Sequence, residues 1–135
     1  MSEENVEIVR SIYASLTRGG DDLFDLVEVE QFLVDFSRRR VDPFVVTLDR
    51  ETFDALRDEV LDPWEGPPTW EPQELIGAGD KVFAFIRTRA RGKASGVEVD
   101  AHVANVWTFR GGQPVELKYF GEDRAEALEA AGLSE

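Results

Sequence analysis

The chain has 135 residues, of which 42% are hydrophobic and 32% are charged, a composition typical of one soluble globular domain. Acidic residues outnumber basic ones by 28 to 15, and the net charge of −13 argues against nucleic acid and anionic membranes as partners. Because the chain has no cysteine, disulfides, thiolate catalysis and cysteine-built metal sites are excluded.

The N-terminal segment MSEENVEIVR is acidic and lacks the apolar stretch of a signal peptide, and no window of the sequence is apolar for long enough to cross a bilayer. We therefore expect a cytoplasmic protein without a membrane or nucleic-acid partner. No repeat, low-complexity segment or linker divides the sequence, so a single domain over residues 1–135 is expected.

The first half of the sequence is predicted to be mostly helical. Residues 3–18 place apolar side chains at spacings of three and four, which is typical of an amphipathic helix. A second helical pattern lies within residues 21–38, as one helix or as a short helix followed by an irregular piece. Residues 44–48 predict a short strand. Asp49 is then a suitable N-cap for a third helix, which Pro63 ends.

The second half changes to the period of two that indicates β-strands, starting at Glu74 after a proline-rich loop. Strands are predicted at 81–91, 97–110 and 115–120, with a tight turn at Gly111-Gly112 and a closing helix at 123–131. Helices followed by an antiparallel meander predict an α+β architecture, in which helices pack on one face of a curved sheet and leave a cone with an open mouth.

The segments ENVEIVRSIYASLTRGG and VANVWTFRGGQPVELKYFGEDRAEAL carry a family resemblance. With the rest of the chain after about Glu71, they resemble the SnoaL-like branch of the nuclear-transport-factor-2-like superfamily, which includes ketosteroid isomerase and scytalone dehydratase. The match is loose over residues 21–70. The resemblance implies a cone-shaped, cystatin-like α+β barrel with a small-molecule pocket, and pairing of two chains through the sheet. Membership of a fold does not choose between enzymes and binding proteins.

Asn105 is the one polar residue on the apolar face of the strand over 97–110. A buried amide costs about 1–3 kcal/mol unless it is hydrogen-bonded, so Asn105 needs a partner in the protein, a water or a ligand. By resemblance it falls where ketosteroid isomerase has the aspartic acid of its oxyanion hole. An amide can donate a hydrogen bond to a ligand oxygen there, but it does not titrate.

Tyr13 lies on the inner stripe of the first helix. By resemblance its neighbour Ile12 matches the oxyanion tyrosine of the isomerase, so Tyr13 would take that role only if the helix were rotated. The alternative is a core tyrosine whose hydroxyl is hydrogen-bonded within the protein.

A general base would have to be a carboxylate or a histidine inside the pocket. Asp42, Asp49 and Glu116 are the candidates, although Asp49 is more simply explained as a helix cap. Glu116 and Lys118 share a strand face with Phe120, which the resemblance places in the cavity, whereas composition places the opposite face, with Leu117, inside. The two charged side chains therefore either face the mouth of the cavity or form a solvated edge pair.

His102, the only histidine, alternates with Glu98 and Asp100 along its strand, which indicates the outside of the sheet. One histidine and scattered carboxylates have no spacing that is specific for a metal. No metal site and no cofactor are therefore predicted.

These observations predict that the protein binds a small, largely apolar ligand with one or two oxygens, such as a polyketide-like or steroid-like ring. Asn105 would orient an oxygen, and Asp49 or Glu116 would take a proton if the ligand undergoes isomerase-, dehydratase- or cyclase-like conversion. Whether any chemistry occurs is left open. The predicted ligand-binding residues are Tyr13, Phe53, Phe83, Phe85, Val103, Trp107, Lys118 and Phe120.

The alternative is a non-catalytic protein of the same fold that dimerises or binds a partner through the outer face of its sheet. Ala104, Val106 and Thr108 would suit such a half-apolar interface. A homodimer through the sheet is expected, and it is compatible with a ligand pocket.

Overall fold

The elements follow the chain in the order helix, two strands, helix, four strands and helix. The computed structural model describes residues 2–19, 32–39 and 43–133. The bounds of the elements are α1 (Ser2–Thr17), β1 (Phe32–Phe36), β2 (Phe44–Leu48), α2 (Arg50–Leu61), β3 (Thr69–Ala78), β4 (Lys81–Arg91), β5 (Glu98–Arg110), β6 (Gln113–Gly121) and α3 (Arg124–Ala130).

The six strands of the described chain form one sheet in the order β2-β1-β6-β5-β4-β3. Strands β3 to β6 form an antiparallel meander, β1 pairs with β6 in parallel, and β2 pairs with β1 in antiparallel orientation. The sheet is curved but not closed, so β2 and β3 are its edge strands. The predicted α+β fold, with a curved sheet and an N-terminal helix, is confirmed.

Both faces of the sheet are covered by helices. Because side chains alternate along a strand, β4 places Val82, Ala84 and Ile86 on one face and Phe83 and Phe85 on the other. The first face packs against α1 and is called the α1 face. The second packs against α3 and is called the α3 face. The apolar character of both sides of β4, visible in the sequence, is therefore explained by a helix on each side.

The larger core joins α1 to the sheet. Its buried members are Val9, Ile12, Tyr13, Phe32, Val34, Leu48, Val82, Ala84, Ile86, Trp107 and Phe109. The smaller core lies between the sheet and α3. Its buried members are Phe83, Ala104, Val106, Phe120, Ala127, Leu128 and Ala131.

Two predictions about the elements are wrong. The sequence places Phe32–Phe36 in a second helical pattern, but this segment forms strand β1. Its backbone pairing with β2 and β6 outweighs the helix-like spacing of its apolar residues. Strand β3 begins at Thr69 rather than at Glu74, because a sheet edge accommodates Pro72 next to a register shift. The rest of the predicted second helix, residues 21–31, lies outside the described residues.

The other predicted helices and strands are confirmed, with small shifts at their ends. No helix in the described part of the chain has both the length and the apolar character that a membrane span requires.

Asp49 caps helix α2, as the sequence predicts. Its Oδ1 accepts a hydrogen bond of 2.9 Å from the backbone N–H of Thr52. In return, Thr52 Oγ1 accepts a hydrogen bond of 2.9 Å from the backbone N–H of Asp49. This reciprocal arrangement is a capping box, which satisfies two backbone donors at the start of the helix.

We expect an Asp49→Ala variant to melt at a lower temperature and with less helix than the wild type, because it loses the side-chain acceptor at the N-cap. An Asp49→Asn variant should keep most of the stability, since an amide oxygen can accept the same hydrogen bond. Thermal melts followed by circular dichroism would check both variants. Equal losses in the two would show that the carboxylate charge, and not the cap geometry, is what matters.

Candidate functional site

A buried, hydrogen-bonded triad joins α1 to β5. Tyr13 on α1 is 2% exposed, and Asn105 and Trp107 on β5 are 5% and 3% exposed. Asn105 Nδ2 and Trp107 Nε1 each donate a hydrogen bond of 2.9 Å to the Tyr13 hydroxyl oxygen. Ile12, which the resemblance matches with the oxyanion tyrosine, is also buried, but it is Tyr13 that reaches Asn105. These three hydrogen-bonded residues are called the triad.

Strand and helix periodicity bring the triad together. Asn105 and Trp107 are two residues apart on β5, so both point to the α1 face. Tyr13 follows Val9 by one turn on the buried stripe of α1. The rings of Tyr13 and Trp107 meet edge-to-face, with centroids 5.7 Å apart and planes at 87°. The rings of Phe32 and Trp107 also lie close together, with centroids 6.1 Å apart and planes at 41°. The triad is thus a polar group enclosed by apolar side chains.

The triad is electrically neutral at physiological pH. Burial raises the pKa of Tyr13 to about 12, and the hydrogen bonds from Asn105 and Trp107 offset part of that rise. The phenol therefore keeps its proton. Amide and indole side chains do not titrate in this range, so the site can form hydrogen bonds but cannot supply a charge.

One polar atom of the triad has no partner. Asn105 Oδ1 is buried and makes no hydrogen bond within the described chain. The Tyr13 hydroxyl accepts two hydrogen bonds, and among the described residues no acceptor takes its proton. A buried polar atom without a partner costs about 1–3 kcal/mol. A molecule that donates to Asn105 and accepts from Tyr13 would remove this cost.

The structure divides the predicted site residues between the two faces of the sheet. On the α1 face, together with Asn105, lie Tyr13, Val103 and Trp107. On the α3 face lie Phe83, Phe85, Glu116, Lys118 and Phe120. The prediction that one pocket would hold both sets is therefore wrong.

Strand alternation on β6 explains this division. Composition places Leu117 inside, and Leu117 does pack against the core of the α1 face. Glu116 and Lys118 pair with even positions of β5 and so share the α3 face. Phe120, which the resemblance places in the ligand cavity, is buried beneath α3. For β6, the local pattern predicts the facing of the side chains correctly and the resemblance does not.

The described proton acceptors do not reach the triad, and Asp42 lies outside the described residues. Asp49 is exposed, and its hydrogen bonds from the Thr52 backbone and side chain lower its pKa, which favours an ionised helix cap. Glu116 lies on the opposite face of the sheet. Phe53, a predicted ligand contact, is part of α2, but its side chain lies outside the described residues. Within residues 2–19, 32–39 and 43–133, no carboxylate or histidine is hydrogen-bonded to the triad.

The α3 face carries cations over aromatic rings. Arg124 Nη2 lies 2.5 Å from Glu74 Oε2, so the first turn of α3 is linked to the edge strand β3. The guanidinium of Arg124 also lies 5.6 Å from the ring centroids of Phe83 and Phe85. Sequence reasoning misses this contact because the partners are far apart in the chain and share no local spacing.

A second group of charges surrounds Phe120. Arg38 forms an ion pair with Glu126 of α3 and lies 4.8 Å from the centroid of the Phe120 ring. Lys118 Nζ lies 5.6 Å from the same centroid. Lys118 also pairs in register with Asp35 of β1. Lys118 therefore lies beside a carboxylate and an aromatic ring on the α3 face, away from the triad.

The α3 face is not free at the positions predicted for a dimer interface. Ala104 and Val106 are buried beneath α3. Thr108 is half-buried and accepts a hydrogen bond of 3.0 Å from Lys81 Nζ. These three residues therefore do not form the exposed interface that was expected. Pairing of two chains through another part of the sheet stays a prediction.

His102 is exposed on the α3 face, where its ring stacks on Phe85 with centroids 5.5 Å apart. The prediction that it points away from the apolar face of β5 is confirmed. No group of three or more histidine, aspartate or glutamate side chains in the described part of the chain is placed to hold a metal ion.

Two grooves run along the seam between α1 and the edge strand β3. One has a volume of about 400 Å³ and includes Ala14 and Trp70, and the other has about 500 Å³ and includes Val6 and Ile76. Neither groove is lined by a residue of the triad. Neither is therefore the predicted cavity beside Asn105.

No family model and no curated protein matches the chain. Solved structures match it over most of its length. Bal32a, from a soil-derived mobile gene cassette, has a TM-score of 0.77 and 19% sequence identity, covering 91% of this chain and 92% of its own. A protein of Jannaschia sp. CCS1 that is assigned as a SnoaL-like polyketide cyclase has a TM-score of 0.73 and 20% sequence identity. The match covers 94% of this chain and 91% of the Jannaschia protein.

The chain has the same fold as these proteins. TerC, which was co-crystallised with polyporic acid, shares this fold with a TM-score of 0.71 and 17% identity, covering 93% of this chain and 98% of its own. The predicted resemblance is thus confirmed at the level of the fold. At these identities the likeness shows the fold of the chain but not its activity.

Proposed function

We propose that this protein binds a small, largely apolar molecule whose oxygens hydrogen-bond to Asn105 and Tyr13. The observation that carries the proposal is the buried Asn105 Oδ1, which has no partner within the described chain. Native proteins leave few buried polar atoms unpaired, and such atoms call for a specific explanation. A bound molecule that donates a hydrogen bond at this position is such an explanation.

The chemistry of the triad defines the kind of ligand. The Tyr13 hydroxyl keeps its proton and can donate it to a carbonyl or hydroxyl oxygen. Asn105 Oδ1 can accept a hydrogen bond from a hydroxyl group. The surrounding Val9, Phe32 and Trp107 side chains favour an apolar ring system around these oxygens. A neutral ring compound with few oxygens therefore suits the site better than an ion.

The comparisons support a ring compound of this kind. The Jannaschia protein is assigned as a polyketide cyclase, and TerC was crystallised with polyporic acid. The resemblance to ketosteroid isomerase implies that Asn105 matches the oxyanion-hole aspartic acid of that enzyme, and the Tyr13 hydroxyl beside Asn105 supports the same interpretation. The ligand that we propose is accordingly a polyketide-like or steroid-like ring.

Conversion of the ligand would be enol chemistry or dehydration, with Tyr13 and Asn105 polarising an oxygen. Such a reaction also needs a general base. Asp49 and Glu116 do not lie at the triad, so the base would have to come from elsewhere in the chain or from the substrate. Binding is therefore the function that the described residues support best, and conversion would be a further property of the same site.

We expect polycyclic ketones and phenols to raise the melting temperature of the wild type, and an Asn105→Leu variant to lose that response. Leucine has a similar volume but neither accepts nor donates a hydrogen bond. The ligand-free variant should be as stable as the wild type within about 1 kcal/mol, because it also loses a buried oxygen that has no partner. Thermal-shift assays and urea unfolding would measure the two effects.

The matched control is His102→Leu, an equivalent replacement on the opposite face of the same strand, which should keep the full ligand response. If no ketone or phenol shifts the wild type, the proposed function is wrong. If both leucine variants keep the response, the ligand binds away from the triad.

A further inference from the structure

We infer that two copies of this chain associate through the edge strand β2, which pairs with β2 of the second copy to join the two sheets. Strand β2 (Phe44–Leu48) pairs with β1 on one side and with no strand of the described chain on the other. The outer backbone N–H and C=O groups of an edge strand can pair with a further strand. Because β1 and β6 lie between β2 and β5, this interface is separate from the triad and does not depend on a ligand.

Strand β2 lacks the features that usually keep a sheet edge from pairing, which are charged side chains, proline and bulges. Its sequence, FVVTL, has no charge and no proline, and its register with β1 contains no shift. Val45, which is apolar and β-branched, is 57% exposed. In a chain with a net charge of −13, β2 is therefore a segment at which two copies can approach with little local repulsion.

The opposite edge of the sheet, strand β3, has the protection that β2 lacks. Pro72 has no N–H to donate, and it lies at a register shift where Gln73 has no partner in β4. Glu71 and Glu74 add charges to the same strand, and α1 packs along it. Pairing is therefore expected at β2 and not at β3. A two-fold pairing that uses only β2 closes on itself, so the assembly ends at two chains.

The sequence of β2 suits antiparallel pairing with a copy of itself. A two-fold axis at Val46 places this residue opposite its counterpart in the second copy. Val45 then lies opposite the partner's Thr47. Phe44 then lies opposite the partner's Leu48. All of these pairs join apolar, aromatic or β-branched side chains, which are favourable cross-strand neighbours. A second copy of the chain thus supplies the uncharged strand that this edge accommodates.

The short edge predicts a weak dimer whose affinity rises with salt. The five residues of β2 span about 17 Å, so their pairing is expected to bury less than the roughly 1,200 Å² of the smallest standard interfaces. Two chains of net charge −13 also repel each other, and salt screens this repulsion. We expect a dissociation constant on the order of 100 µM in about 500 mM NaCl, and about tenfold weaker association in about 20 mM NaCl. Sedimentation equilibrium would measure both.

A Val45→Glu variant tests whether β2 is the interface. The two introduced carboxylates would be diagonal neighbours across the pairing, where like charges repel, so the dimer should weaken at least about tenfold. The control is Ile76→Glu, which adds the same charge at a side chain that is 37% exposed on the other edge strand. It should keep the wild-type dissociation constant within about twofold, because β3 is not at the interface.

Hydrogen exchange tests the same interface on the wild type, without a variant. Outward backbone amides of β2 should exchange more slowly in a concentrated sample than in a dilute one, because pairing protects them. Amides of β3 should exchange at the same rate in both samples. Protection of β2 that does not depend on concentration would show that the chain's own residues cover this edge, and would overturn the inference.

The other outcomes are equally decisive. A wild type that stays monomeric at about 1 mM in high salt would overturn the inference, since this is about ten times the expected dissociation constant. A dimer that salt weakens, or that Val45→Glu leaves intact, would also overturn it, because the contact would then lie on charged side chains or on another surface. If Val45→Glu does not fold, the salt dependence and the hydrogen exchange of the wild type decide.

Discussion

Replacing Phe83 with Ala is expected to lower the free energy of unfolding by about 3–5 kcal/mol, the usual cost of removing a fully buried phenylalanine side chain. Phe83 is fully buried, and it packs between the sheet and α3 with Val106, Phe120 and Leu128. If Phe83 lined a ligand pocket instead, truncation would enlarge that pocket at a much smaller cost to stability. The result thus tests whether the α3 face is a second core.

Phe85→Ala is the matched control for Phe83→Ala. Arg124 lies 5.6 Å from both rings, but Phe85 is only partly buried, so its truncation should cost clearly less. Val45→Ala, at a side chain that is 57% exposed, should change stability by no more than about 0.5 kcal/mol. Urea unfolding at neutral pH would give all three values. A loss below about 1 kcal/mol for Phe83→Ala would contradict the second core.

The second large effect is expected in alkali, where ionisation of Tyr13 should destabilise the protein. Folding raises the pKa of Tyr13 from its ordinary 10.0 to about 12, so the folded state holds this proton more tightly than the unfolded state. The resulting stabilisation is complete below pH 10 and is lost as the pH rises from 10 through 12. A shift of two pKa units corresponds to about 3 kcal/mol.

Tyr13→Phe isolates this effect from the other groups that titrate in alkali. The difference in unfolding free energy between the wild type and Tyr13→Phe should be constant up to about pH 9 and should then shift by about 2 kcal/mol in favour of the variant by pH 12. Tyr119→Phe removes the other tyrosine of the chain and serves as the control. Parallel pH profiles for the wild type and Tyr13→Phe would mean that the phenol ionises in the folded state as easily as in water.

The sequence by itself determined most of the elements. Alternation over 81–91 and 97–110 predicted two long strands, and Gly111-Gly112 predicted the turn that follows, because these signals depend on neighbouring residues. The same is true of the cap at Asp49, whose partner is three residues away. Alternation also placed Asn105 correctly on the apolar face of its strand.

Only the tertiary structure decided which element covers each face, because a strand pattern shows which residues share a face but not what packs on it. Helix α3 covers Phe83 and Phe120, which sequence reasoning had assigned to the ligand pocket. The triad likewise depends on the tertiary structure, because Tyr13 and Asn105 are hydrogen-bonded although they lie 92 residues apart in the sequence. No local spacing connects two such residues, so their hydrogen bond exists only once α1 has packed against the sheet.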